Sequence, residues 1–398
     1  MKSLDNNSKK EISNDNKDST NKRKRDKGTS MEEPPKKIII KRYNNFDDFL
    51  KEILNHEGPY DDEDDTKLDT IDDSESSDDE DEENKELIFI KDKIKNLNDL
   101  IKLGKTYDKT KRYTFDMKKL NKMVSPLEDL NNMIGMNLVK KNIVDHILFF
   151  LQKLDTGLNN MLHTVIQGPP GTGKTELAKK LSKIYLAMGI LKNDTFKIVK
   201  RGDLIGKYLG HTAIKTQKVI DSCAGGVMFI DEAYSLGSGD GKDIYSKECI
   251  DTLNQNLTEN KNKFICIIAG YKNDLNDCFF SMNKGLDRRF SIRYTIEKYD
   301  GKELFEIFKK IVKDNEWKIS EKASSKFFET NKDNFPFFGG DMETLFFNCK
   351  LVHGRRIFGK DIKLKKIITN NDIKNAYQIF INNKNKNITS DVWKNLYV

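Results

Sequence analysis

The chain is poor in the groups from which metal centres and disulfide frameworks are made. Its five cysteines, Cys223, Cys249, Cys266, Cys278 and Cys349, form no C-x-x-C pair. An odd count without framework spacing excludes a disulfide scaffold and points to a reducing compartment. Several of these cysteines sit in apolar or helical settings and read as core. The five histidines, His56, His146, His163, His211 and His353, are dispersed, so no metal constellation forms in sequence. No apolar stretch approaches 20 residues, and no secretory pattern opens the chain. Membrane insertion and secretion are therefore not expected, and the reading is an intracellular protein, cytoplasmic or nuclear.

The N-terminal part also lacks the apolar content of a folded domain. Residues 1–43 carry 13 Lys and Arg against 7 Asp and Glu, and residues 61–83 carry 15 acids and one lysine. Such charge density cannot bury enough apolar surface to offset chain entropy, so residues 1–87 read as a disordered charged tail. An amphipathic island at 43–54 (YNNFDDFLKEIL) reads as a docking peptide or a transient helix. The basic run at 21–27 (NKRKRDK) fits an import signal, a nucleic-acid contact or a solvated charge run. The whole chain carries net charge +7, so the body beyond the acidic block is basic, and the tail can screen it. Residues 88–126, mixed Lys, Leu and Ile, read as a helical lead segment that packs on the body.

Against these absences stands one complete motif. Residues 168–175 read GPPGTGKT, the G-x-x-x-x-G-K-[ST] phosphate-binding loop. Gly168, Gly171 and Gly173 let the backbone turn its N–H groups around phosphate oxygens. Lys174 supplies a cation for the terminal phosphates, and Thr175 a hydroxyl for Mg²⁺. The apolar run 162–166 before the loop reads as a buried strand. Residues 176–185 after it read as a helix, whose N-terminus favours an anion. Farther on, GVMFIDEA (226–233) is an apolar strand ending in Asp231 and Glu232. Two acids at the end of a buried strand need a compensating charge. Asp231 suits the Mg²⁺ shell, and Glu232 suits polarisation of an attacking water.

Apolar runs at 162–166, 196–199, 227–230 and 264–269 alternate with helical stretches, the pattern of a parallel α/β sheet. Ligands of such sheets bind beyond the carboxyl ends of the strands, where the loop and the two acids lie. After residue 297 the chain turns helical, with apolar residues at 304, 305, 307, 308, 311 and 312.

The segments GPPGTGKTELAK, RGDLIGKYLGHTAIKT (201–216), GGVMFIDEAYSLG (225–237), FICIIAGY (264–271) and GLDRRF (285–290) together resemble the AAA+ ATPases. Within them the wording is most similar to the branch of the red-type rubisco activase CbbX and the stage V sporulation protein K, above all to members carried by large DNA viruses. The resemblance runs from residue 127 to the C-terminus. It implies a P-loop AAA+ parallel sheet sandwiched by helices at 127–297, then a small helical lid domain at 298–398. It implies ATP and Mg²⁺ as cofactors, hydrolysis to ADP and phosphate, and assembly into a homo-oligomer, a hexameric ring. ATP would be held by Gly168, Pro169, Pro170, Gly171, Thr172, Gly173, Lys174, Thr175 and Glu176, with Ile134 and Gly135 on the adenine side. Lys174, Asp231 and Glu232 would be catalytic, with Thr175 and Asp231 toward the metal. Arg289, or Arg288 as second choice, would reach the γ-phosphate held by a neighbouring subunit. Tyr208 and Leu209, in a loop between Gly206 and Gly210, would face a central pore and grip polypeptide.

The chain departs from that pattern twice. Many relatives place an asparagine at the end of the fourth strand. Here the strand ends Ala269-Gly270-Tyr271, and the nearest candidate is Asn273. The lid helix opens GGDMETLFFNC (339–349) without an arginine; Arg355 and Arg356, further along the same stretch, read as solvated charges, with compensation for the missing arginine as the alternative. The expectation is an ATP-driven ring that remodels an unknown protein substrate. Nucleic acid is a disfavoured partner, and the alternatives are a nucleic-acid motor or loader and a nucleotide-gated scaffold.

Overall fold

The computed structural model describes residues 87–90, 93–154, 161–208, 210–237, 243–320 and 324–394. All belong to the second of two units into which the chain divides, residues 76–398. The island at 43–54, the basic run at 21–27 and the acidic block lie outside the described residues, as does Leu209. The expected tail end at 87 falls late, because Leu87–Ile88 already pairs in parallel with Arg112–Tyr113.

Among the described residues three helices precede the sheet: α1 (Leu97–Lys105), α2 (Met117–Asn131) and α3 (Asn137–Leu151). Five parallel strands follow: β1 (Thr164–Gln167), β2 (Phe196–Val199), β3 (Val227–Ile230), β4 (Ile265–Gly270) and β5 (Ile292–Thr295). Between them run α4 (Lys174–Ala187), α5 (His211–Asp221) and α6 (Ile244–Glu259). The sheet order is β2-β3-β4-β1-β5. Thr164 pairs with Ile267 on one side and Ile292 on the other, so β1 is an interior strand and its end is flanked by the ends of β4 and β5.

The sheet is buried on both faces, which explains why β3 and β4 are uninterrupted apolar runs and why the polar ends of β1, Thr164 and Gln167, are hydrogen-bonded. Side chains alternate between the faces. Val227, Phe229, Ile265 and Ile267 join one core with α1 to α4. Met228, Ile230, Cys266 and Ile268 join a second with α5 and α6. His163, just before β1, is fully buried; its Nδ1 accepts from the Cys266 N–H at 3.0 Å, which leaves Nε2–H to donate to the Leu257 carbonyl at 3.0 Å.

The expected division at 126/127 cuts through α2. Pro126 lies inside that helix, where proline usually ends one. The helix continues because Leu127 and Leu130 beyond the proline are fully buried in the same core as Leu120 and Met123 before it. The lead segment therefore shares its core with the sheet.

A third core is rich in phenylalanine and is built by α7 (Gly301–Asp314), α8 (Gly339–Ile357) and α9 (Asn370–Lys394). Asp300 caps α7 by accepting from the Glu303 N–H at 2.7 Å, while the Glu303 carboxylate accepts from the Asp300 N–H at 2.9 Å. Such a reciprocal cap contributes about 0.5–2 kcal/mol. Arg356 is not a solvated charge. Its guanidinium pairs with buried Asp372 at 2.8 Å and donates to the Ile367 carbonyl at 3.0 Å, because an acid this enclosed needs a compensating cation. Arg355 is exposed, as expected.

Candidate nucleotide site

The loop after β1 is anchored before it turns: the Gly168 N–H donates to the Gly270 carbonyl at 3.2 Å, tying it to the end of β4. Gly171 (φ +69°) and Gly173 (φ +84°) are in the left-handed region, which only glycine adopts without cost. The Thr172 hydroxyl donates to the Pro169 carbonyl at 2.8 Å, and the Tyr299 hydroxyl to the Thr172 carbonyl at 2.9 Å. Helix α4 begins at Lys174, so its unpaired N–H groups face the hollow of the loop.

Lys174 lies back across the loop, its Nζ donating to the carbonyls of Gly168 at 3.0 Å and Pro169 at 2.8 Å. Burial pulls its pKa down, and the charges of Asp231 and Glu232 oppose that pull. The Thr175 hydroxyl donates to Asp231 Oδ2 at 3.2 Å, so the two oxygens expected to serve a metal are already adjacent. Asp231 Oδ1 accepts from the Glu232 N–H at 3.1 Å. Glu232 is exposed and left-handed (φ +52°), a conformation that costs a non-glycine residue about 1–3 kcal/mol and tends to persist at functional sites. Glu176 is also exposed and pairs with Lys180 at 3.5 Å, which leaves its backbone facing the loop.

The phosphate loop is thus joined to the two acids through Thr175 and Lys174. The adenine-side segment is brought to the same place. Gly135 (φ +65°) and Met136 (φ +57°) make a tight turn between α2 and α3, beside half-buried Ile134. A Cβ on Gly135 would lie 2.7 Å from Glu303 Oε1, and one on Gly173 would lie 3.5 Å from Met136 Cε. Residues of the phosphate loop, the α2–α3 turn and α7 therefore meet. Helix α8 closes the fourth side: the Gly339 N–H donates to the Gly171 carbonyl at 3.0 Å. Phe338, which precedes it, has φ +43° and ψ −105°, the third non-glycine residue with positive φ at the site after Glu232 and Met136.

Two residues missed in the sequence complete the site. Tyr271 follows β4 directly, and its ring centroid lies 5.1 Å from Lys174 Nζ. It stacks on Tyr234 at 5.5 Å and 21°. Burial and then the Glu232 charge push the Tyr234 phenol far above its usual pKa. Asn273, the expected candidate at this strand end, is exposed. The available signal was position, since Tyr271 is the first residue beyond the strand.

Two expected functional groups lie away from this hollow. Arg289 donates from Nε to Thr258 Oγ1 at 2.6 Å and from Nη1 to the Gly285 carbonyl at 2.7 Å, while Arg288 is exposed. Tyr208 is 67% exposed and its ring meets His211 edge-on at 5.5 Å.

Among the described residues no cluster of three or more His, Cys, Asp or Glu could hold a metal unaided. The Thr175–Asp231 oxygen pair nevertheless fits Mg²⁺, a hard cation that keeps several waters and arrives with substrate phosphates. No described helix is long and apolar enough to cross a membrane.

Comparison with known proteins agrees with this geometry. The family model described as "ATPase family associated with various cellular activities" matches residues 164–297. A putative cfxQ-like protein of Acanthamoeba polyphaga mimivirus is 45% identical over 297 residues, 73% of each chain. Stage V sporulation protein K of Bacillus subtilis is 38% identical over 205 residues, 50% of this chain and 63% of that one. A protein CfxQ homolog of Galdieria sulphuraria is 32% identical over 240 residues, 59% of this chain and 75% of that one. The chain belongs to the AAA ATPase family, in the branch of the CfxQ-like proteins, and is an ATPase.

Proposed function

We propose that the protein is a ring-forming motor that remodels protein substrates, drawing polypeptide through a central pore by way of the Tyr208 loop. In this reading Lys174 leaves the Gly168 and Pro169 carbonyls for the terminal phosphates of ATP, and the N–H groups of residues 171–176 bind their oxygens. Ile134 and Gly135 wall the adenine. Thr175 and Asp231 would hold Mg²⁺, which when bound neutralises charge on the phosphates. Glu232 accepts the proton of a water whose oxygen bonds to the γ-phosphorus as the bond to ADP breaks; a positioned base contributes about 10²–10⁴ in rate. An arginine of a neighbouring subunit, Arg289 or Arg288, adds about 10³–10⁵ by meeting the transition-state charge. Residues 87–297 then act as the nucleotide-binding body and residues 298–394 as its lid.

The observation that carries the reading is the setting of Tyr208. A large aromatic left 67% exposed stands on a loop whose two ends are fixed. The Gly206 N–H donates to Thr212 Oγ1 at 3.0 Å, and Lys215 Nζ donates to the Gly202 and Ile205 carbonyls at 2.6 and 2.9 Å. Among the described residues, the ring contact Tyr208 makes is the edge-on one with His211. The test is a paired measurement on Tyr208→Ala: basal ATP turnover, and unfolding of a tagged substrate found by crosslinking to a Glu232→Gln trap. Turnover within a few-fold of wild type with remodelling lost supports the reading. Loss of turnover or of oligomer formation would show that Tyr208 packs the assembly instead.

A further inference from the structure

Arg201 begins the single helical turn Arg201–Leu204, which leads from β2 into the Tyr208 loop. Its guanidinium joins three separate segments. Nη1 donates to the Ser235 carbonyl at 2.7 Å and to Ser246 Oγ at 2.8 Å, and Nη2 pairs with Asp243 Oδ2 at 2.5 Å. Asp243 caps α6, accepting from the N–H groups of Tyr245 and Ser246. The Ser246 hydroxyl above all, and then Arg201, hold the Asp243 pKa at about 2, so the anchor stays ionised.

Ser235 is what makes this fork more than a cement. It lies in the turn Ala233–Leu236, whose first N–H contact returns to the site: Ser235 N–H donates to the Glu232 carbonyl at 2.8 Å. Its neighbour Tyr234 stacks on Tyr271, and the Tyr271 ring faces the Lys174 ammonium. An unbroken series of contacts thus runs from the phosphate-loop lysine, through two stacked rings, to the carbonyl that Arg201 grips. On the far side the turn is bound to α5, since Thr216 Oγ1 donates to the Leu204 carbonyl at 3.2 Å and Lys215 holds Gly202 and Ile205. Lys174 cannot serve the loop carbonyls and a γ-phosphate at once. Phosphate therefore draws the ammonium from its present place over Tyr271, and the stack and the turn after Glu232 must readjust. Arg201 cannot follow that carbonyl without moving, because its other nitrogen is fixed to α6.

We propose that Arg201 is the positioning residue through which occupancy of the phosphate loop reaches the Tyr208 loop, with the Tyr271–Tyr234 stack as the intermediate contact. The proposal rests on the reading of Tyr208 as a gripping residue and adds how the nucleotide commands it. The mark of such coupling is a nucleotide effect on the Tyr208 loop that one substitution removes.

The experiment is amide hydrogen exchange on the full chain, with and without Mg²⁺ and the β,γ-imido analogue of ATP, in wild type and Arg201→Met. The analogue should slow exchange at 168–176 in both proteins. In wild type it should change exchange at 203–212 by threefold or more, and in Arg201→Met by less than 1.5-fold. A purely structural Arg201 would raise exchange at 203–212 with and without analogue and leave the ratio unaltered, which overturns the proposal while sparing the gripping reading. No analogue effect at 203–212 in wild type would overturn both. Should Arg201→Met fail to bind the analogue, Tyr234→Leu is read against the same two criteria, because it breaks the stack and leaves the Arg201–Asp243 pair in place.

Discussion

The Gly339 N–H and the Gly171 carbonyl are joined at 3.0 Å, which docks the first residue of the lid helix α8 onto the tip of the phosphate loop. The contact is close enough to forbid a side chain. A Cβ on Gly171 would fall 1.9 Å from the Phe337 carbonyl oxygen, and the residue has φ +69°. Gly171→Ala should therefore lift the lid from the loop. We expect ATP affinity to fall about tenfold or more, since the strain of a left-handed alanine and a displaced lid together exceed about 1.4 kcal/mol. Gly354→Ala, in the same helix with nothing within 4 Å of its Cβ, is the control. It should bind ATP normally and gain up to about 1 kcal/mol from helix propensity. Equal affinity in the two variants, measured by titration of a fluorescent nucleotide, would show that the lid contact is irrelevant to binding.

Binding and hydrolysis should separate between Lys174 and Glu232. Lys174 lies within the loop and is half-buried, whereas Glu232 is exposed beyond the strand end. Glu232→Gln should still bind ATP with Mg²⁺ and lose about 10²-fold or more in turnover. Lys174→Ala should lose the binding itself. Calorimetric affinities and steady-state rates on both variants decide the matter. A similar loss of affinity in each would contradict the division of roles.

The phosphate loop, the strand-end acids and the order of strands and helices were legible because each depends on short-range rules. GPPGTGKT requires glycine at its two left-handed positions, and VMFI must be apolar because both faces of β3 are buried. What escaped notice depends on contacts between distant segments. Pro126 signals a helix end, and only the burial of Leu127 and Leu130 against the sheet overrides it. Arg356 looks solvated until Asp372, 16 residues on, is seen to be buried beside it. Tyr271 and Tyr234 belong to different strand ends, and nothing local announces that their rings stack.

His163 gives a pH prediction with a definite sign. Burial lowers its pKa from 6.5 to about 4, since the ring is enclosed between Cys266 and Leu257. The folded protein keeps the imidazole neutral where the unfolded chain takes up a proton. Stability from this group is complete above pH 6.5, declines as the pH falls toward 4, and levels off below that. The difference amounts to about 3 kcal/mol at full burial. Urea midpoints of wild type and His163→Asn between pH 7.5 and 4.5 isolate the effect, because the other titrating groups are common to both. The wild type should lose more stability over this interval than the variant. Parallel curves would mean that the ring takes up a proton as readily in the fold as in the unfolded chain.

The two arginines after Gly285 make different demands on a ring. Arg289 is spent within its own chain on Thr258 and Gly285, so serving a neighbour requires it to leave two hydrogen bonds of 2.6 and 2.7 Å. Arg288 is exposed and needs no such release. If the assembled ring draws Arg289 across, Arg289→Ala subunits mixed into wild type should depress turnover more than their share, because each one also disables its neighbour's site. Arg288→Ala should then lower activity only in proportion. The reverse pattern would assign the trans contact to Arg288 and leave Arg289 as a brace between α6 and the turn before β5. Proportional loss with both variants would remove the intersubunit arginine altogether, and with it the argument that the site is built from two chains. Turnover measured across a series of mixing ratios separates the three cases, since a shared site gives a curve that falls below the straight line between the two pure proteins.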